Sequence, residues 1–238
     1  MKVIDGGWTR WRQGLVLGAA LLLPGGGAMA ADAPDMALRM QACSACHGKE
    51  GRATPDGFFP RIAGKPASYL FHQLQNFRDG RRNNGAMASL VEQMPDEYLR
   101  EIAAYYAALE LPYAPAPAPQ AAPAVLARGA ALAREGDRTL KVPACVACHG
   151  QRLTGTLPAI PGLLGLPRGY LVSQLGAWQA SSRAAHAPDC MADIANRLTP
   201  SDVAAVSAWL AAQPLPADTH PAVAAAAPLP LECGSVKP

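Results

Sequence analysis

The sequence predicts an all-α protein built from two similar small domains in tandem. Three observations predict this fold class: an internal repeat, apolar residues at helical spacing in both copies, and no stretch that alternates convincingly as a strand. The chain has 238 residues, enough for two small domains, but only 6% of them are aromatic. Because so few large apolar residues fill two cores poorly, the composition indicates a prosthetic group in addition.

The first 30 residues have the parts of an export signal. A basic start precedes an apolar run of eleven residues and a small-residue cleavage site; these are Lys2, Arg10 and Arg12, then residues 14–24, then Ala28-Met29-Ala30. A membrane-spanning anchor needs about 20 apolar residues, so this run is too short for one. We therefore predict a cleaved signal peptide over residues 1–30.

Removal of this signal leaves a nearly neutral chain. The full sequence has 21 Lys and Arg and 18 Asp and Glu, and the signal contains three of the basic residues together with Asp5. The mature chain thus has 18 basic and 17 acidic residues. This balance gives no electrostatic reason to bind nucleic acid or a membrane surface, and we predict no nucleic-acid partner.

The internal repeat organises the rest of the chain. Each copy contains, in the same order, a Cys-x-x-Cys-His-Gly motif, a Gly-x-Pro-x-x-Tyr-Leu-x-x-Gln-Leu segment, a methionine and a final amphipathic helix. The matched positions are Pro60, Gly64, Pro66, Tyr69, Leu70, Gln73, Leu74 and Phe77 in the first copy, and Pro161, Gly165, Pro167, Tyr170, Leu171, Gln174, Leu175 and Trp178 in the second. We predict domain 1 over residues 31–111, a Pro/Ala-rich linker over 112–124, domain 2 over 125–213 and a Pro/Ala-rich tail over 214–238. Five prolines in the thirteen linker residues favour a semi-rigid polyproline II spacer over a disordered one.

Apolar spacing places the helices. The last helix of each copy is amphipathic and is predicted over about 96–110 and about 200–213. Thr199, directly before Pro200, is a good N-cap for the second of these, whereas Pro95 is a weaker start for the first. Three further helices are predicted over residues 69–77, 125–135 and 170–178.

Two Cys-x-x-Cys-His motifs carry the chemistry, at Cys43–His47 and Cys145–His149. Thiols one helical turn apart can reach the two vinyl groups on one edge of a haem, and the adjoining histidine is then placed under the iron. The motif is typical of c-type haem attachment. A zinc site, a thioredoxin-like redox motif and structural disulfides are the alternatives. They fit less well because each motif has its own histidine and lies in a separate repeat, without a βαβ context.

The methionine that recurs in both copies is the candidate for the second axial ligand of each iron. Met87 lies 40 residues after His47, and Met191 lies 42 residues after His149. A single methionine is usually core filler, but a matched methionine in both copies, in an irregular loop before the last helix, indicates a ligand. His186 is an alternative for the second copy only. Histidine–methionine ligation closes both faces of a haem and favours electron transfer over catalysis.

With these motifs, the sequence resembles the cytochrome c4 family of periplasmic dihaem cytochromes over about residues 36–213. The resemblance implies two tandem class I cytochrome c domains, each wrapped around one covalently bound haem c. The implied haem residues are Cys43, Cys46, Cys145 and Cys148 for attachment, with His47/Met87 and His149/Met191 as axial pairs. Pro60 and Pro161 match the proline whose carbonyl accepts the N–H of the proximal histidine. Tyr69, Tyr170, Arg81 and Arg82 are either propionate contacts or ordinary packed tyrosines and surface arginines.

The resemblance also implies a function. We expect an electron carrier, not an enzyme, located in the periplasm and soluble or loosely membrane-associated. Its partners would be a quinol-cytochrome c reductase or a periplasmic dehydrogenase as donor, and a terminal oxidase or another acceptor. The alternatives are a dedicated cytochrome subunit of such a dehydrogenase and, less favoured by the matched methionines, a dihaem peroxidase.

Two cysteines remain after haem attachment, Cys190 and Cys233. An even pair in an exported protein predicts a disulfide, which here would fold the tail back onto the second domain. The alternative is two free thiols, one beside the haem and one on the tail.

Overall fold

The computed structural model of the protein describes residues 35–54, 57–118 and 120–236. The expected signal peptide over residues 1–30 lies outside these ranges. Within them the chain is mainly helical, as predicted, with one small antiparallel sheet. The helices are α1 (Met36–Arg39), α2 (Gln41–His47), α3 (Ala67–Arg78), α4 (Gly85–Val91), α5 (Asp96–Ala107), α6 (Pro123–Arg134), α7 (Val146–His149), α8 (Arg168–Gln179), α9 (Cys190–Arg197) and α10 (Pro200–Ala211), and the strands are β1 (Gly155–Thr156) and β2 (Ile160–Pro161).

The core of the first half lies around α3 and α5. α5 follows Pro95 without a side-chain cap, but Asp96 and Glu97 place negative charge in its first turn, where the helix dipole favours it. The helix ends at Ala107, three residues before the predicted end. The buried residues of this core are Met40, Leu70, Phe77, Val91, Leu99, Ile102, Ala103 and Tyr106.

The core of the second half lies where α6 crosses α10. Gly129 is at the crossing, and a Cβ atom there would lie 2.7 Å from the Cβ of Trp209, so the close approach requires glycine. Thr199 caps α10 as predicted: its hydroxyl accepts from the Asp202 N–H, and the Asp202 carboxylate accepts from the Thr199 N–H. β1 and β2 have two residues each, too few to show an alternating pattern in the sequence.

The linker and the tail are both tied to the folded halves. Arg61 donates hydrogen bonds to the carbonyls of Leu111 and Pro112 at 2.6 and 3.1 Å, and its guanidinium lies 3.8 Å above the ring of Tyr113. α6 begins at Pro123, two residues inside the predicted linker. In the tail, Ala222 forms a parallel bridge with Thr156.

The two halves pack together within one compact unit. Arg82 and Arg183 form an antiparallel bridge, in which the Asn83 N–H donates to the Ser182 carbonyl at 2.8 Å and the Ala184 N–H donates to Arg81. No helix among the described residues is long and apolar enough to cross a membrane.

Candidate functional site

The first Cys-x-x-Cys-His motif forms the end of α2. Cys43, Cys46 and His47 lie in the last two turns of this helix, and Gly48 terminates it with a φ of 74°. A side chain at Gly48 would collide with the Ala53 carbonyl oxygen, so the glycine of the motif is needed for the chain to turn away. The helix therefore presents two thiols and one imidazole together.

His47 is held by its Nδ1 atom. Nδ1–H donates to the Pro60 carbonyl oxygen at 3.0 Å; since a carbonyl only accepts, the proton must be on Nδ1. Burial lowers the pKa of His47, the Pro60 bond opposes this, and the nearby charge of Arg82 lowers the pKa further. The imidazole is thus neutral, with Nε2 available to a metal.

The second motif repeats this arrangement on α7. His149 is buried, and its Nδ1–H donates to the Pro161 carbonyl oxygen at 2.7 Å. Burial lowers the pKa of His149, and the charge of Lys65 from the first half lowers it further, against the effect of the Pro161 bond. The Thr156 hydroxyl donates to the Cys148 carbonyl at 2.9 Å and ties α7 to β1.

None of the four motif cysteines takes part in a disulfide. Burial raises the pKa of Cys43 and Cys148, and raises that of Cys145 to about 11. Among the described residues, no three His, Cys, Asp or Glu side chains converge as a metal site. This geometry favours haem attachment over the zinc and disulfide alternatives.

Met87 lies in a helix, not in the irregular loop that the sequence indicated. Asn84 caps α4, and its side-chain oxygen accepts from the Met87 N–H at 3.0 Å. Met87 packs against the buried core of the first half, as does Cys43. The cap and this packing fix the methionine in the same half as the first motif.

Met191 also lies in the first turn of a helix. Asp189 caps α9 by accepting from the Ala192 N–H at 3.0 Å. The preceding residue, Cys190, is bonded to Cys233, with the two Cα atoms 5.1 Å apart. The tail is thus attached directly beside Met191. The alternative ligand His186 faces the first half instead, with its ring centroid 5.2 Å from that of His72.

A cluster of basic side chains lies between the halves. Arg82 donates to the amide oxygens of Gln73 and Gln174 at 3.0 and 2.6 Å, and Arg183 donates to the same two oxygens at 3.1 and 2.7 Å. Arg82 also donates to the Tyr170 hydroxyl at 3.2 Å. Neither guanidinium pairs with a carboxylate of the described residues. Arg183 is buried, and a buried cation without an anion is costly, so the cluster fits the propionates that two haems would bring.

Another candidate propionate contact, Arg81, has its side chain outside this cluster. It pairs with Asp79 at 2.7 Å and donates to Asn76. Sequence reasoning missed Arg183, although the repeat contains the signal: Arg183 follows Gln174 by nine residues, as Arg82 follows Gln73. The residues present therefore fit one haem in each half, with the interface supplying positive charge.

Comparison with known protein families and relatives gives the same result. A family model described as cytochrome c oxidase, cbb3-type, subunit III, matches residues 26–105. The thiosulfate dehydrogenase electron acceptor of Thiomonas intermedia is 39% identical over 173 residues, which cover 73% of this chain and 79% of the relative. Cytochrome c4 of Pseudomonas aeruginosa is 32% identical over 183 residues, which cover 76% of this chain and 88% of the relative.

Solved structures share the fold. Thiosulfate dehydrogenase (TsdBA) from Marichromatium purpuratum matches with a TM-score of 0.65 and 35% identity over 73% of this chain, and this chain spans only 36% of that longer one. Reduced cytochrome c4 from Pseudomonas stutzeri matches with a TM-score of 0.63 and 28% identity, over 74% of this chain and 95% of its own.

These matches extend across both repeats, so the fold consists of two tandem class I cytochrome c domains. The expected cofactors and activity are confirmed as well: the protein has two covalently bound haem c groups and is an electron carrier, not an enzyme. The chain belongs to the cytochrome c4 family of dihaem c-type cytochromes.

Proposed function

We propose that His47 and Met87 are the axial ligands in the first half, and that His149 and Met191 are those in the second. The attachment thiols are then Cys43, Cys46, Cys145 and Cys148. The observation that carries the assignment of the two histidines is the matched bond from each histidine Nδ1 to a proline carbonyl, at 3.0 and 2.7 Å. It occurs in both halves and leaves the same nitrogen of each ring free.

The axial ligands determine the chemistry of each haem. A haem iron held by histidine and methionine takes up and releases one electron at a time. Pro60 and Pro161 fix the orientation of the two imidazoles and increase their basicity. Because both axial positions are filled by protein side chains, neither site has the open position that a peroxidase needs.

The protein's partners are redox proteins, and we propose that its donor is a periplasmic thiosulfate-oxidising dehydrogenase. Two relatives are named thiosulfate dehydrogenase electron acceptor, at 39% and 36% identity. A structural match, TsdBA, is itself a thiosulfate dehydrogenase. A quinol-cytochrome c reductase is the alternative donor, and a terminal oxidase is the expected acceptor.

The proposed location is the periplasm, after cleavage of the signal peptide over residues 1–30. The basic start, short apolar run and small-residue site support this export route. The predicted Cys190–Cys233 bridge is also compatible with an oxidising compartment.

Rapid mixing distinguishes the two donors. Oxidised holoprotein is mixed with a thiosulfate dehydrogenase and thiosulfate, or with a quinol-cytochrome c reductase and quinol, and the reduced haem bands are followed. We expect both haems to be reduced faster by the dehydrogenase than by the reductase, at equal enzyme concentrations. Faster reduction by the reductase would identify the alternative donor. If the protein copurifies with a dehydrogenase, it is a subunit of that enzyme. If it purifies without a partner, it is a free electron shuttle.

A further inference from the structure

Lys65 reaches from the first half into the second haem site. It lies between Gly64 and α3, and only 5% of the residue is exposed. Its Nζ atom donates a hydrogen bond to the Gly162 carbonyl oxygen at 2.9 Å. This is a contact across the interface between the two repeats, 97 residues apart in sequence.

Lys65 has no carboxylate partner among the described residues. Burial, together with the neighbouring Arg61, lowers the pKa of Lys65 to about 8, so the side chain is mostly charged at neutral pH. A buried, unpaired cation is destabilising, and an apolar residue of similar size is often more stable in its place. The second repeat has such a residue at the equivalent position, the buried Leu166. The fold therefore does not itself require a lysine here.

The contact of Lys65 is one peptide away from the bond that orients His149. Gly162 directly follows Pro161, whose carbonyl accepts from His149 Nδ1–H at 2.7 Å. Gly162 is also tightly placed, since a Cβ atom there would lie 2.6 Å from the Thr154 carbonyl oxygen. Lys65 thus fixes the Pro161–Gly162 segment, which in turn orients His149. The positive charge of Lys65 also lowers the pKa of the His149 imidazole.

Among the described residues, no side chain of the second half donates in this way to the segment after Pro60 in the first half. Pro60 is followed by Arg61, whose side chain is occupied by the linker carbonyls. The charge that lowers the pKa of His47 is instead that of Arg82, which belongs to the cluster shared by both halves. Lys65 is therefore a residue of the first half whose positive charge lies at the second site.

We propose that Lys65 is a positioning residue for the second haem, which fixes the Pro161–Gly162 segment and raises the midpoint potential of that haem relative to the same site without the charge. Reduction adds one electron, and a nearby positive charge stabilises the reduced form. Lys65 thereby favours electron transfer from the first half to the second. The inference rests on the proposed ligation by His149.

Lys65→Leu tests this, because leucine is the residue of the other repeat. Holoprotein variants are titrated electrochemically at pH 6.5 while visible spectra are recorded. Each is also titrated with Met87→His added, which lowers the first potential and so assigns the two waves. Lys65→Leu is expected to shift the second wave to lower potential and to leave the first unchanged, whereas Lys65→Arg, which keeps the charge, retains most of the wild-type value. Lys141→Met removes an exposed lysine from the second half and is the matched control.

The effect of Lys65→Leu should also diminish as pH rises above about 8, where Lys65 itself loses its charge. The charged or titratable groups that face Lys65 are Arg61 and His149, and neither gains a charge in this range. Equal shifts of both waves, or no shift at pH 6.5, would overturn the inference. Lys65→Met serves as a second neutral variant if Lys65→Leu folds poorly. If the wild-type protein lacks the methionine–iron band, the ligand assignment itself is wrong. This result distinguishes failure of the ligand assignment from failure of the inference about Lys65.

Discussion

Replacement of both Cys190 and Cys233 by serine should destabilise the second half selectively. The bridge joins residues 43 apart in sequence and attaches the tail at the residue before Met191. Next to it, the Gly234 N–H donates to the Pro188 carbonyl at 2.9 Å. Without the bridge, the tail is held there by such single hydrogen bonds.

The size of the effect follows from the length of the closed loop. In the chain-entropy model, a loop of this length contributes about 4 kcal/mol to the free energy of unfolding. Removal of the bridge should therefore lower the stability of the second half by up to about 4 kcal/mol. Because Met191 adjoins Cys190, its bond to iron should be lost at lower denaturant concentration than that of Met87.

The assay is equilibrium unfolding of the oxidised protein, followed by the weak far-red band of methionine bound to ferric haem. Chemical reductants are avoided because they also reduce the haems. Met87 is the internal control, since its half has no disulfide. Alkylation of two thiols in the unreduced wild type, or equal loss of both methionine bonds in the variant, would refute the reasoning.

Three other perturbations test separate contacts. Cys145→Ser with Cys148→Ser should leave the second half largely unfolded, because haem supplies much of each small core; a native-like far-UV circular dichroism spectrum would contradict this. Burial lowers the pKa of His72, and the nearby His186 lowers it further. The neutral His72 side chain therefore contributes its full stability above the ordinary pKa of 6.5, and this contribution is lost as pH falls through the lowered pKa. His72→Gln should therefore reduce the loss of stability between pH 7 and pH 5 in denaturant titrations, and an unchanged pH dependence would be evidence against it. We expect reduction of one haem to shift the midpoint potential of the other, and Arg183→Gln should weaken this shift; an identical shift in the variant would argue against the shared cluster.

The positions of the last helix of each half were predictable because their causes are local. The apolar spacing at Leu99, Ile102 and Tyr106 placed α5 to within three residues, and Thr199 with Pro200 placed the start of α10. Caps and amphipathic faces depend on neighbours within one or two turns. A single sequence contains that information.

The secondary structure around the two methionines was predicted incorrectly. Both were expected to be irregular loops, yet Asn84 and Asp189 begin short helices there. Asn and Asp are ordinary N-cap residues, so the signal was present. The helices have only seven and eight residues, too few to produce a clear apolar period.

The interface between the halves could not be derived from local patterns. Lys65 and Arg183 are defined by contacts with residues about 100 positions away. The repeat did contain a partial signal, since Lys65 corresponds to Leu166, but a mismatch alone does not show which surface it faces. The docking of the tail through Ala222 depends in the same way on tertiary contacts.

A redox titration of the holoprotein, with visible and far-red spectra, tests the central claim most directly. We predict two one-electron steps, a methionine–iron band from both ferric haems, and slow binding of carbon monoxide and cyanide. Absence of the far-red band from either haem, with rapid carbon monoxide binding, would contradict the assignment of Met87 or Met191 and with it the account of two closed electron-transfer sites.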